Sequence, residues 1–441
     1  MGTRKKPLLV MKFGGTSVGD AERIDAVAQI LIEHSRDANV VGVVSAMAGV
    51  TDALIRSARS ASLEDGDHWR PESQSLVKRH QLAGEKLLPA GERAKFMSTL
   101  SQQMMVYENL CSGFSLLREI TPRAMDSLSS LGEVLTATLL AGVLRSKGAA
   151  AAAIDAMDLI VTDGRFGNAT PLSAETRERT SKNLRPLLEA GTIPVVTGFR
   201  AATREGICTT LGRGGSDYSG TILGAALDAD EIWIWSDVDG VMTADPRLVP
   251  GAHMISEISY LETLELSFFG AKVLHPRAIQ PAMKAGIPVL IRNTFNPACT
   301  GTRVSSRATS QNGVRAITGI ANAALVAVSG KDGLSFPRLA ARVFGALSVE
   351  DVSTLMVTQS SADNVLCFAI HEADQARVCA KLEKTFELEM RHDSLVAIDA
   401  TPHVGMVVAV GEKMRGIHGL AGRMFGALGR RSINIIAIAQ G

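Results

Sequence analysis

Aromatic side chains are scarce, 4% of 441 residues, with three tryptophans and three tyrosines. Cysteine is scarcer still: Cys111, Cys208, Cys299, Cys367 and Cys379 are scattered and none stands in a C-x-x-C pair. That pattern excludes a disulfide frame and reads as reduced, mostly buried thiols of a cytoplasmic protein. A charge excess of either sign is missing, since 46 Lys and Arg balance 45 Asp and Glu. With no basic stripe either, nucleic acid is a poor partner. The longest apolar stretches have the length of strands, which leaves no membrane span. The basic start, Met1 to Pro7, leads into an apolar run that Gly14 and Gly15 interrupt, unlike a secretory leader. His68 and His80 have no partner at metal-ligand spacing and read as surface histidines, and no metal site is read from side chains.

What the chain does have is alanine and 41 glycines, a composition suited to helices packed closely on a sheet. Its length exceeds what one core supports, so two or three domains are expected. The most informative stretch is Lys12-Phe13-Gly14-Gly15-Thr16-Ser17, between an apolar run (Leu8 to Met11) and a helical pattern from about Asp20 to His34. That is strand, glycine turn, helix. The glycine pair lets backbone approach a ligand, the amides opening a helix favour anions, and Lys12 adds a positive charge. The combination suits a phosphate, although a bare Gly-Gly is equally a plain turn. It is not a Walker A loop, because the lysine precedes the glycines.

Further strand-to-loop junctions follow. Asn39 to Val44 is a β-branched run ending in Ser45-Ala46-Met47-Ala48-Gly49-Val50-Thr51-Asp52. Its hydroxyls could hold substrate oxygens at the carboxyl end of a sheet, or Thr51 and Asp52 could cap a helix. Ser57 to Thr121 is helical and polar, broken once at Trp69 to Glu72, and reads as a helical insertion or lid. Glu133 falls early in a helix running to about Lys147, where the helix dipole alone would favour a carboxylate. After a strand (Ala150 to Asp155) and a helix (Ser173 to Ala190), Ile193 to Phe199 is another buried strand. A hairpin then leads to Thr209-Thr210-Leu211-Gly212-Arg213-Gly214-Gly215-Ser216-Asp217-Tyr218. Such a loop presents amides, an arginine fork and a carboxylate at a helix start; a capped glycine turn is the plainer account. Glu231 to Trp235 reads as a strand before a long turn-rich loop to Arg247. Lys272 by itself reads as a surface charge and His275, before Pro276, as structural. Ile287 to Asn293 completes a sheet of parallel βα units.

The chain turns polar from Ser305 to Gly313, and beyond that it repeats itself. Leu339-Ala340-Ala341-Arg342-Val343-Phe344-Gly345-Ala346-Leu347 aligns without a gap to Leu420-Ala421-Gly422-Arg423-Met424-Phe425-Gly426-Ala427-Leu428. The same offset pairs Gly330 with Gly411 and Gln359 with Gln440. One supersecondary unit is used twice. Each copy reads strand (Leu325 to Ser329; Met406 to Val410), helix, strand (Val352 to Thr358; Ile433 to Ala439), with the shared helix motif serving packing. Only the first copy continues, with a strand from Val365 to Ile370 and a helix from Ala373 to Phe386. The second stops at Gly441, as in a truncated chain or a piece of a longer, fused protein.

Lys-Phe-Gly-Gly-Thr-Ser, Gly132-Glu133 and Leu-Gly-Arg-Gly-Gly-Ser-Asp-Tyr together resemble the aspartokinases of the amino-acid kinase family. The repeat resembles tandem ACT domains, small ferredoxin-like α+β units that bind amino acids. The resemblance implies an α/β amino-acid-kinase fold over 1–304, a first ACT domain over 314–395 and an incomplete second over 396–441. It implies transfer of the ATP γ-phosphate, with Mg²⁺, to the β-carboxylate of L-aspartate. Lys12 and Asp217 would be catalytic, with Lys12, Gly14, Gly15 and Thr16 on phosphate. Ser17, Ser45, Thr51, Glu133, Phe199, Arg213 and Ser216 would hold the substrate, Glu133 its ammonium and Arg213 its α-carboxylate. Ser236, Asp237, Met242, Arg247 and Lys272 would meet ATP; relatives often carry tyrosine where Met242 stands. Val-Thr-Gln-Ser-Ser and Ala-Ile-Ala-Gln-Gly resemble the threonine-sensitive members, including those fused to homoserine dehydrogenase. Gln359 and Gln440 would then contact threonine, with lysine as the other candidate effector, and the ACT units would pair in a homo-oligomer. A different amino-acid kinase and a non-catalytic amino-acid sensor of the same fold are the alternatives.

Overall fold

Leu8–Phe13 (β1) is the strand around which the first unit is built: its apolar residues are buried on both faces, and Lys12 is the one charged residue among them. The structure, a computed structural model, describes residues 6–63, 69–271, 274–306, 313–330, 335–360, 364–391 and 396–440. Lys272 and His68 lie outside them. The chain divides into two compact units: Met1–Phe268 with Lys272–Ser310, and Phe269–Ala271 with Gln311–Gly441.

In the first unit β1 is followed by α1 (Ala21–Ser35), whose first turn is capped by Asp20 accepting from the Arg23 amide. Next come β2 (Asn39–Val44), α2 (Val50–Ala61), α3 (Arg70–Leu87), α4 (Ala90–Leu117), α5 (Pro122–Ser129), α6 (Leu131–Ser146) and β3 (Ala151–Ile154). They are followed by α7 (Ser173–Glu189), β4 (Ile193–Thr197), β5 (Arg200–Ala202), β6 (Cys208–Thr210), α8 (Gly215–Leu227), β7 (Glu231–Ser236), β8 (Glu257–Ile258), α9 (Tyr260–Phe268), α10 (Pro276–Ala285), β9 (Val289–Asn293) and β10 (Thr302–Val304).

The main sheet runs β3-β4-β2-β1-β7-β9-β10-β8, and β5 and β6 form the expected hairpin. Pairing is parallel except where β10 returns against β9, a closing strand the sequence reading did not include. Phe13 pairs with both Val44 and Trp235, and Val44 with Thr197. The loops after β4, β2, β1 and β7 therefore leave the sheet at one level, side by side in that order.

Two expectations are corrected, and so is the premise that the longest apolar stretches have only strand length. The helical stretch after Ser57 is no lid: Trp69, Leu76, Phe96, Leu100 and Tyr107 of this region belong to the main core with β1, β2 and α6. His80 is no surface residue; it is fully buried, with Nδ1 2.7 Å from the Leu76 carbonyl. Pro122–Ser146 is long and apolar enough by composition to cross a membrane, but 83% of its most apolar window is buried inside the unit. It is two core helices that meet at Ser130.

The second unit contains β11 (Ala316–Gly330), α11 (Phe336–Val349), β12 (Met356–Ser360), β13 (Val365–His371), α12 (Gln375–Thr385), α13 (Glu387–Arg391), β14 (Val396–Val410) and α14 (Leu420–Gly429). Its sheet runs β12-β13-β11-β14. Val326, Val328, Leu339, Val343, Leu347, Phe368, Leu382 and Phe386 form its core. In the first copy of the repeat the shared helix motif packs inward, whereas α14 buries none of its residues. Ile433 to Ala439 was expected as a strand; it pairs with none of the described strands, and Ile433, Ile436 and Ile438 are exposed. Ala316 to Ile320 pair with Val410 to Met406, so the first strand of the second copy finds its partner in the chain that precedes the first copy.

Two stability predictions follow from the packing. Burial lowers the His80 pKa from 6.5 to about 4, so the folded state holds it neutral while the unfolded chain takes a proton. Unfolding free energy should fall as pH drops from about 6.5 towards 4, with His80 contributing on the order of 2 kcal/mol. His80→Leu should flatten that limb in urea melts across the range. Gly132→Ala would bring a Cβ to 2.6 Å from the Ala46 Cβ and 2.8 Å from Val50 Cγ1, whereas one at Gly113 meets nothing within 4 Å. Gly132→Ala should lose about 1–3 kcal/mol and Gly113→Ala gain up to about 1 kcal/mol in the same melts.

Candidate active site

The loops at the carboxyl ends of β1, β2 and β4, with the first turns of α6 and α8, enclose a cavity of about 300 Å³. Lys12 forms its floor. The side chain is buried and ion-paired with Asp217 in the first turn of α8. Gly220 allows this approach, since a Cβ there would lie 3.2 Å from Lys12 Cβ. The α8 N-cap is Gly214 at φ +67°, so Asp217 is free of the capping role that the plainer account gave it.

Gly15 lines one wall, and Gly14 stands beside it outside the lining. The Gly14 amide donates to the Trp235 carbonyl at 3.2 Å, and the Ala48 amide donates to the Gly15 carbonyl at 3.1 Å. A Cβ on Gly15 would sit 3.0 Å from the Ala46 carbonyl oxygen, so this close approach of the two loops needs glycine. Ser45 and Thr51 line the cavity, and Gly49 at φ +79° takes the N-cap of α2, which leaves Thr51 available.

Glu133 lines the cavity from the first turn of α6, 2% exposed, and its Oε2 has no hydrogen-bond partner. Burial pushes its pKa up to about 7, against the pull of the Ala46 amide, its own amide, Arg200 and Lys12. A buried carboxyl with one oxygen unpartnered can accept a donor or cation from outside the protein.

Phe199 and Ser216 complete the wall. Phe199 holds a left-handed conformation at φ +67°, costly for an aromatic residue. It is fixed by its amide donating to Ser219 Oγ at 3.0 Å, while its carbonyl accepts from the Leu211 amide at 2.9 Å. Arg213 is exposed on the loop between Gly212 and Gly214, both of which line the cavity.

Not every candidate reaches this space. Ser17 is fully buried; its hydroxyl shares a 2.7 Å hydrogen bond with Thr294 Oγ1 and points to the neighbouring strand, not to the cavity. Thr16 is exposed beside the glycines, its carbonyl accepting from Arg23 Nη1 at 2.9 Å. Ser236 ends β7 and Asp237, Met242 and Arg247 follow it; none of the four lines the cavity. Ser236 Oγ donates to Asp237 Oδ1 at 3.1 Å, Met242 bridges to Met254, and Arg247 is ion-paired with Asp245 at 2.7 Å. Gln359 and Gln440 are exposed in the second unit. Among the described residues, no three His, Cys, Asp or Glu side chains cluster to hold a metal.

Sequence reading passed over Ser219 and read His275 as structural. Ser219 supports Phe199 from the turn of α8 after Asp217, a spacing visible in the motif once its helix is drawn. His275 packs on Gly214, where a Cβ would lie 2.5 Å from its own, and caps α10.

Comparison with known proteins agrees with this geometry. Residues 7–293 match the amino acid kinase family, and residues 326–386 and 407–441 match the ACT domain. The chloroplastic bifunctional aspartokinase/homoserine dehydrogenase of Daucus carota is 34% identical over 98% of this chain and 47% of its own length. The chain thus spans about half of such bifunctional relatives. Lysine-sensitive aspartokinase 3 of Escherichia coli is 31% identical over 97% of this chain and 92% of its own. The crystal structure of E. coli aspartokinase III with aspartate and ADP superposes with a TM-score of 0.83 at 30% identity, covering 98% of this chain and 94% of that one. The cavity therefore sits in a kinase unit of known kind: this chain belongs to the amino acid kinase family, on its aspartokinase branch, with ACT-domain sequence behind the kinase unit.

Proposed function

We propose that this chain is an aspartate kinase, which transfers the γ-phosphoryl group of ATP to the β-carboxylate of L-aspartate and yields 4-phospho-L-aspartate. That is the first step towards lysine, threonine and methionine. The observation that carries the reading is the unmatched carboxyl oxygen of Glu133 in the same small cavity as Lys12. A phosphate acceptor without an amino group would leave that buried carboxyl unpaired; an α-ammonium satisfies it. Arg213 takes the α-carboxylate as a fork, and Ser45, Thr51, Phe199 and Ser216 fill in around the substrate.

With both ends fixed, the β-carboxylate faces Lys12 and the Gly14–Gly15 turn. It needs no general base, because an aspartate side chain with a pKa of about 4 is already ionised. The difficulty is bringing one anion onto another. Lys12 neutralises the β,γ-phosphates, and the Gly14–Gly15 turn receives the transferred group through the amides of Gly15 and Thr16, since the Gly14 amide is held by the Trp235 carbonyl. Asp217 holds the Lys12 ammonium in place. A carboxylate oxygen bonds to phosphorus, the bond to the β-phosphate oxygen breaks, and ADP leaves. Ser236, Asp237, Arg247 and Lys272 hold the nucleotide, with the backbone or thioether of Met242 replacing a tyrosine contact. Mg²⁺ would come with the nucleotide and take most ligands from phosphate oxygens.

We read the ACT sequence as a threonine-binding regulatory part that also joins copies of the chain, in a cytoplasmic enzyme. The equivalent placing of Gln359 and Gln440 in the repeat supports it; lysine is the second candidate effector. ATP turnover with Mg²⁺ and L-aspartate, trapped as the hydroxamate, tests the kinase, and added threonine or lysine tests the effector. Hydroxamate should form only with aspartate. Lys12→Met should lower kcat by on the order of a thousandfold. A wild-type chain that binds ATP and aspartate but makes no hydroxamate is an amino-acid sensor. Because Glu133 must be ionised to hold an ammonium, KM for aspartate should rise as pH falls below about 7, by roughly tenfold per unit, with kcat nearly level. A flat KM over this range would take Glu133 out of that role.

A further inference from the structure

Asp126 belongs to none of the motifs, yet it is 2% exposed on α5 and accepts three hydrogen bonds. Its Oδ1 accepts from Thr210 Oγ1 at 2.7 Å, and its Oδ2 accepts from the Thr210 amide at 3.0 Å and the Gly167 amide at 2.8 Å. Thr210 is the last residue of β6, and Leu211-Gly212-Arg213 follow directly. Gly167 belongs to a turn that lies against this same loop. A Cβ on Gly212 would fall 2.8 Å from Asn168 Oδ1 and 3.2 Å from the Gly167 carbonyl, and the Ala169 amide donates to the Thr210 carbonyl at 2.9 Å. Arg277 holds the far side of that turn through Asn168 and the Ala169 carbonyl.

The backbone of Asp126 is also tied to the start of α6. Its backbone carbonyl accepts from Ser130 Oγ at 2.8 Å, at the joint where α6 begins three residues before Glu133. One residue on a short helix is thus bonded to the strand that ends before Arg213 and to the joint that precedes Glu133. Burying a carboxylate is costly unless donors meet it; here three do, two of them backbone amides. Nothing in the phosphoryl transfer calls for Asp126 itself, since it does not line the cavity.

We propose that Asp126 is a positioning residue: its buried carboxylate fixes the Gly212–Ser216 loop, and so Arg213, at the distance from Glu133 that matches the two charged ends of the amino-acid substrate. The inference rests on the aspartate reading above. What the site needs from Asp126 is hydrogen-bond acceptance in a fixed place more than its charge. An asparagine can keep one oxygen on the two amides while its amide group donates to Thr210 Oγ1, which can accept in turn. An alanine leaves two amides and a hydroxyl stranded.

The test compares wild type, Asp126→Asn, Asp126→Ala and Thr210→Val in the hydroxamate assay and by hydrogen exchange. Asp126→Ala should raise KM for aspartate about tenfold or more, with KM for ATP within about twofold, because misplacing a clamp weakens the ligand it holds. Thr210→Val should do the same to a smaller degree, and Asp126→Asn should recover most of the loss. Amides over 164–170 and 208–216 should exchange faster in Asp126→Ala, while those over 236–247 keep the wild-type rate. An Asp126→Ala enzyme with unchanged aspartate KM, or with both KM values and all segments disturbed alike, overturns the proposal in favour of a general structural role. If wild type itself makes no hydroxamate from aspartate, the substrate reading fails. The exchange pattern then decides alone: selective loosening of the two segments supports the positioning role, and its absence overturns it.

Discussion

The first unit is organised by the need to keep a lysine on the central strand charged while it is buried. A cation in that place requires a carboxylate in contact, and an unpaired one would be strongly destabilising. Asp217 meets the requirement only because α8 starts directly over the end of β1, and α8 can start there only because Gly220 lets helix and lysine stem approach. Once that pair is set, the Gly212–Ser216 loop must lie opposite the Gly14–Gly15 turn. Gly198 and Gly215 must likewise lack side chains, since a Cβ on either would lie under 3 Å from Ser216 or Phe199. Glycines spread over two hundred residues of chain thus answer to one electrostatic demand.

The strand order turns this local demand into a layout. β4, β2, β1 and β7 end at one level, so their loops stand in a row. Phe199 follows β4, Ser45 and Thr51 follow β2, the Gly14–Gly15 turn follows β1 and Asp237 follows β7. Two charged groups here meet unlike surroundings: Glu133 is buried, which raises its pKa, while Arg213 is exposed.

How far this was legible in the sequence depended on whether a residue's job is local. β1, β2 and β7 announce themselves by apolar runs that end at glycine or small polar residues, α8 by the glycines before it, and Asp20 by its place before a helix. Where the partner is remote, no local pattern helps. Ser17 looks like a ligand hydroxyl until Thr294 is seen to take it. Asp126 looks like any helix carboxylate, because Gly167 and Thr210 are distant in sequence. α3 and α4 look like a polar insertion because each buries only a narrow stripe, and that stripe includes His80, a polar residue in a core position. Ile433 to Ala439 has every residue preference of a strand, but a strand also requires a partner edge, which composition does not supply.

The pairing of β11 with β14 carries a consequence for the second unit as a whole. Each is 15 residues long, and each runs through both copies of the repeat. Ala316 to Ile320 serve the second copy and Leu325 to Gly330 the first, on one continuous strand with a register shift between them. The two copies are therefore nested like interlocked brackets and not strung like beads. Neither can be excised without taking a strand from the other, and a shear applied to either is transmitted along the same two backbones. Duplication here produced one mechanical body with two faces.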